Sequence, residues 1–200
     1  MKEVVLVPGL WMPGVLMALL AARLAGRGYK AQVFSYGGRD PYEENVEALA
    51  RFAREKAFFV GHSLGGVLIL DMLTRHPEVA TDAVVLIGAP ARGCLAGRRF
   101  GGTAFGRWMM GASRARWEER AARWTRAAPL GVVAGTLPVG LGRAFGGALP
   151  GPNDGVVCVE ETTIDGMTER TLVHRGHSML IFSGRVGGLV ERFLGSGKFA

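Results

Sequence analysis

Within the first 90 residues, four short apolar runs alternate with three stretches of helical periodicity, and nothing else narrows the fold as much. Residues 4–7, 31–36, 58–60 and 83–87 are rich in β-branched and aromatic side chains and read as strands. Residues 13–27, 41–56 and 64–75 read as helices, two of them opening on Pro13 and Pro41 and two closing at Gly28 and at His76-Pro77. Unbroken apolar strands joined to helices by short turns predict βαβ units. The expectation is an α/β chain with a mostly parallel sheet of about six strands, covered by helices on both faces.

After Pro90 the rhythm changes. Residues 130–134 and 171–173 supply two further strands, residues 179–194 a closing helix, and residues 137–152 a Gly/Pro-rich loop. Residues 116–126 have a helical look. A length of 200 residues suits one domain spanning 1–200, in which only 91–128 has room to form a small lid. A long cap does not fit, so an open or lightly covered cleft is expected.

Hydrophobic residues make up 48% and charged residues 20%, which excludes a disordered chain. Cys94 and Cys158 are too few for a disulfide framework and lack metal-ligand spacing, so they read as buried thiols. The apolar N-terminus is interrupted by Pro8-Gly9 and Pro13-Gly14. It therefore reads as strand, turn and helix rather than a signal peptide or a membrane span, and a cytoplasmic protein is expected.

Residues 91–128 hold nine arginines against two acids, which accounts for the whole net charge of +7. A solvated helix face explains this, and no nucleic-acid partner is expected. The same segment carries Trp108, Trp117 and Trp124, which leaves peripheral contact with an anionic membrane as the alternative.

The stretch "FFVGHSLGGVLIL" places Gly61-His62-Ser63-Leu64-Gly65 between a strand and an apolar helix. G-x-S-x-G in that setting forces a sharp turn that presents the serine hydroxyl above the sheet edge, at a helix N-terminus. A capping serine would not need the flanking glycines. A nucleophilic serine needs a base and an acid that orients it, and on this architecture they follow it in the chain as acid, then His.

His177 lies in the loop past Gly176 and is the better-placed base; His174 is the alternative. Asp154, in an Asn-Asp-Gly turn after the penultimate strand, is the leading acid, with Asp165, Glu160 and Glu161 as competitors. The oxyanion donors are expected to be the backbone N–H of Leu64 and one from the loop after the first strand, where Pro8 has none and Gly9 or Leu10 must serve, Leu10 being the choice. Trp11, Met12 and Met179 are candidates to line a substrate pocket.

"VLVPGLWMPG", "FVGHSLGG", "LIGAP", "VVAGT", "GPNDGVV" and "GHSMLIFS" together resemble the α/β-hydrolase superfamily, in particular small bacterial lipase/esterase-like members related to the triacylglycerol lipase and PGAP1-like groups. The resemblance runs from Val4 to about Leu194. It implies a serine hydrolase acting on carboxylic esters or lipids, with Ser63 as nucleophile, Asp154 as acid, His177 as base, and Leu10 and Leu64 as oxyanion donors. No cofactor or metal is implied. Many relatives carry His where this chain has Pro8, which puts the local hydrogen bonding there in question. A thioesterase or acyltransferase would use the same residues, and a hydrolase-fold binding protein without catalysis is the reading from a different class.

Overall fold

A computed structural model describes residues 2–53, 56–140 and 147–200. Six strands form one sheet: β1 (Lys2–Val7), β2 (Tyr29–Val33), β3 (Phe58–His62), β4 (Val84–Ile87), β5 (Leu130–Gly135) and β6 (Glu169–Val173). Their order is β2-β1-β3-β4-β5-β6 and every neighbouring pair is parallel. The order reverses direction between β1 and β3, and parallel sheets bind ligands outside their carboxyl ends near such a switch.

Strand periodicity divides the core in two. Val5 and Val7 of β1, Phe59 of β3, and Val84 and Leu86 of β4 face one layer. Val4 and Leu6, Phe58 and Val60, and Val85 and Ile87 face the other. Helices α2 (Tyr42–Phe52) and α3 (Leu64–Arg75) cover the first face through Val46, Leu49, Val67, Leu68 and Met72. Helix α1 (Ala18–Ala25) and the last helix, Gly184–Ser196, cover the second through Leu20, Leu24, Val190 and Phe193.

The expected first and last helices both begin late. Residues 14–17 form a 3-10 turn before α1, and the last helix starts only after Ser183, whose hydroxyl accepts the Val186 N–H. The second helix was expected to reach residue 56. It ends at Phe52 because Ala53 leaves helical geometry, and residues 54 and 55 lie outside the described part. The expected loop 137–152 likewise includes residues 141–146, outside the described part.

The expected helix over 116–126 is absent. Two helices precede it instead, α4 (Leu95–Gly101) and α5 (Ala104–Met110), followed by a 3-10 stretch, Gly111–Trp117. Beyond Trp117 the chain pairs with a distant loop: Trp124 N–H donates to Asp165 O at 2.8 Å and Asp165 N–H to Ala122 O at 2.9 Å.

Nor are the arginines here a uniformly solvated face. Arg120 donates to Asp71 on α3 at 3.0 Å, and Arg126 donates to the carbonyls of Leu73, His76 and Val79, the end of that helix. Long-range bonds to backbone and a half-buried carboxylate outweigh a helical propensity worth only tenths of a kcal/mol per residue. These bonds pin the chain beyond Trp117 to α3, while α4, α5 and the 3-10 stretch before it form a cap whose Phe100, Phe105, Met110 and Trp117 lie beside Ser63.

Candidate active site

The turn from β3 into α3 sets the first side chain. Ser63 sits at φ 52° and ψ −126°, a conformation that costs an L-residue about 1–3 kcal/mol. It is held there by its N–H on Ile87 O at 2.9 Å and its carbonyl accepting Gly66 N–H at 3.0 Å. Gly65 permits the turn, because a Cβ there would collide with the carbonyls of Val7 and Pro8. The loop after β1 therefore lies directly against the turn. A Cβ at Gly9 would stand 3.0 Å from Ser63 Cβ and 3.1 Å from His62 Nδ1.

Ser63 Oγ is 2.9 Å from His177 Nε2, and His177 Nδ1 is 2.8 Å from Asp154 Oδ2. All three residues are buried. Asp154 Oδ1 is already taken by the N–H groups of Val156, at 3.0 Å, and Val157, at 2.7 Å. One carboxylate oxygen thus anchors the turn while the other faces the imidazole. The backbone repeats the link, with His177 N–H donating to Asp154 O at 2.9 Å. With Nδ1–H donated to the carboxylate, Nε2 is left to accept the serine proton.

The competing residues stand elsewhere. His174 is exposed, with its ring 3.4 Å from Thr136 Oγ1. Asp165 and Glu160 are exposed and pair with Arg92. Glu161 is more enclosed, but it accepts the N–H groups of Leu95, at the start of α4, and of Cys158, which occupies it structurally.

Beside Ser63 opens a cavity of about 350 Å³, walled by Leu10, Trp11, Phe100, Phe105, Met110 and Trp117 among others. Among the described residues, no Asp, Glu, Lys or Arg lines it. Cys94 lies in its wall, where burial pushes the thiol well above its usual range, so it stays protonated. Cys158 is also a buried free thiol, pushed up to about 12 mainly by burial. Of the three pocket candidates, Trp11 lines the cavity. Met12 packs instead against the α1 side of the sheet, and Met179 is 56% exposed. Two other cavities among the described residues are lined largely by charged side chains and include none of Ser63, Asp154 and His177.

Sequence patterns of the alpha/beta hydrolase family match residues 4–184. The chain belongs to that family. No curated protein matches it significantly. Among solved structures, the alpha/beta hydrolase is similar to the mature lipase BlEst2 of Bacillus licheniformis at 19% identity and a TM-score of 0.71, over 98% of this chain and 92% of that one. It is similar to a metagenomic carboxyl esterase at 21% identity and a TM-score of 0.69, over 90% of this chain and 65% of the other. It is also similar to a pyrethroid hydrolase from Sphingobium faniae at 14% identity and a TM-score of 0.60, over 98% of each chain. At these identities the likeness is one of fold.

Two residues escaped the sequence reading. Tyr36 donates its hydroxyl to Pro8 O at 3.1 Å and so steadies the loop over Ser63. His62 is the more consequential. Its ring is fully enclosed 4.8 Å from that of His177, and its Nε2 lies 3.2 Å from His177 O. A carbonyl partner requires Nε2 to carry the proton, which leaves Nδ1 bare and without a partner among the described residues. His62 therefore holds the backbone of the imidazole that faces Ser63. Only its place beside Ser63 signalled this.

Burial, reinforced by the neighbouring His177, lowers the His62 pKa from 6.5 to about 3. Between those values the unfolded chain binds a proton that the folded chain refuses. The group's contribution to stability is complete above pH 6.5 and is lost as pH falls toward 3, at about 1.4 kcal/mol per pH unit. Denaturant titrations at pH 7 and pH 5 are expected to differ by about 2 kcal/mol from this residue. His62→Gln keeps a donor for His177 O and should remove that part of the pH dependence; an unchanged slope would count against the buried neutral ring.

Proposed function

We propose that this chain is a serine hydrolase that cleaves carboxylic esters with an apolar acyl group. The observation that carries the reading is the unbroken line from Asp154 through His177 to the Ser63 hydroxyl, ending at the mouth of a cavity walled by apolar side chains. Ser63 Oγ attacks the acyl carbon as its proton passes to His177 Nε2, and Asp154 stabilises the imidazolium that forms. The carbonyl oxygen becomes an oxyanion. Leu64 N–H, at the start of α3, and Leu10 N–H, in the loop against Ser63, are its donors. None of the turn and loop hydrogen bonds among the described residues uses either group.

His177 then protonates the leaving alcohol, which departs with an acyl-serine left behind. Water attacks that ester, giving a proton to Nε2, and Nε2 passes it to Ser63 Oγ as the acyl–oxygen bond breaks and the acid leaves. The acyl group is apolar because a buried charge in this cavity would find no Asp, Glu, Lys or Arg partner among the described residues that line it. A fluorophosphonate probe and a p-nitrophenyl ester series test the reading: one adduct on the Ser63 peptide and measurable turnover are expected. A folded protein that neither labels nor turns over any ester would be a binding protein on a hydrolase scaffold.

A further inference from the structure

The cap presents an aromatic ridge at the cavity mouth that the proposed reaction does not use. Trp11, Phe105 and Trp108 are 47%, 57% and 57% exposed. Their rings form a chain: Trp11 meets Phe100 at 6.0 Å, Phe100 meets Phe105 at 6.1 Å, and Phe105 stacks on Trp108 at 6.0 Å. Two of these exposed rings, Trp11 and Phe105, also wall the cavity beside Ser63, so the ridge and the cavity share side chains. Val139 and Met179, 64% and 56% exposed, add apolar side chains near the loops that carry Asp154 and His177.

The segment that carries Phe105 and Trp108 is basic. Residues 95–117 contain five arginines and no acid. Arg98 is matched by Glu119, and Arg116 by Glu43 and Asp71. Arg107 and Arg114 are exposed and pair with no carboxylate among the described residues, and Arg39 lies over the Trp108 ring at 4.7 Å. Indole and phenyl rings settle at the headgroup level of a bilayer, and arginines beside them meet lipid phosphates.

We propose that this face docks on a bilayer bearing anionic phospholipid, with Phe105 and Trp108 inserted and Arg39, Arg107 and Arg114 on the headgroups. A nucleic acid would also take arginines and exposed rings. It would not explain why the rings continue into a cavity walled by apolar side chains. The docking stands apart from catalysis. Only the passage of a lipid ester from the bilayer to Ser63 rests on the proposed hydrolase activity.

The test is co-sedimentation with vesicles of phosphatidylcholine alone and with phosphatidylglycerol added, for the full chain and for Ser63→Ala. Binding should require the anionic lipid, fall with salt, and be equal in Ser63→Ala, so that a failure of docking and a failure of catalysis are read separately. Arg107→Gln and Arg114→Gln should each weaken partition about fivefold. Trp108→Ser should weaken it at least tenfold, while turnover of a soluble ester by Arg107→Gln and Trp108→Ser stays unchanged. Partition that ignores phosphatidylglycerol, or that Trp108→Ser leaves intact, overturns the proposal. So does equally tight binding to a single-stranded oligonucleotide, which would make the patch a general polyanion site.

Discussion

Alanine at position 63 is expected to lower kcat on a p-nitrophenyl ester by about 10⁴- to 10⁶-fold, with KM little changed. The size follows from the geometry. His177 Nε2 has one hydroxyl to deprotonate, at 2.9 Å, and losing Oγ removes both the nucleophile and the acyl intermediate. Folding should survive. Ser63 makes no side-chain capping bond to α3, so alanine leaves no buried partner unsatisfied except the imidazole edge. Thermal melts of Ser63→Ala and the parent should nearly coincide. Hydrolysis retained in the variant would remove Ser63 from the reaction.

Asp154→Asn should cost about 10⁴-fold in kcat for a different reason. Two backbone N–H groups hold Oδ1, from Val156 and Val157, and they accept no substitute but another oxygen. The asparagine amide nitrogen is therefore forced into the Oδ2 position, facing His177 Nδ1. An N–H donor there makes Nδ1 the acceptor and moves the ring proton to Nε2. The imidazole then points a donor at Ser63 and cannot take its proton. Asp154→Ala should also lose activity, but with a drop in stability of about 1–3 kcal/mol from the stranded N–H groups. The contrast between an inactive, stable asparagine variant and an inactive, destabilised alanine variant separates tautomer control from simple loss of structure. Equal melting of the two, or an active asparagine variant, would contradict it.

The parallel sheet was legible because apolar runs, glycine stops and helical spacing all agree before Pro90. Helix α3 runs over Leu64–Arg75 as the pattern reads it, since its apolar side chains are buried nearly all round. Ser63, Asp154 and His177 could be named as candidates because each follows a strand in a glycine-bearing turn. Their convergence could not be read, since it depends on where β3, β5 and β6, the strands that precede them, fall in the order of the sheet. The cap misled for a physical reason. Arg116, Arg120 and Arg126 are spaced like the polar face of a helix, yet Arg120 and Arg126 serve α3, some 50 residues away in the chain. Pattern reading sees only neighbours along the chain. The role of His62 was hidden likewise, because its partner is a backbone carbonyl 115 residues on.

Trp11 stands at φ 57° and donates its indole N–H to Met109 O at 3.2 Å. One side chain thereby ties the cap to the turn that contains Leu10. Any substrate bulky enough to pry α5 outward pulls on that turn at the same moment. In the proposed reaction, where the Leu10 N–H receives the oxyanion, selection for size would then fall on the speed of bond-making rather than on the strength of capture: an oversized guest could be admitted and still fail to react, because its admission disarranges that donor.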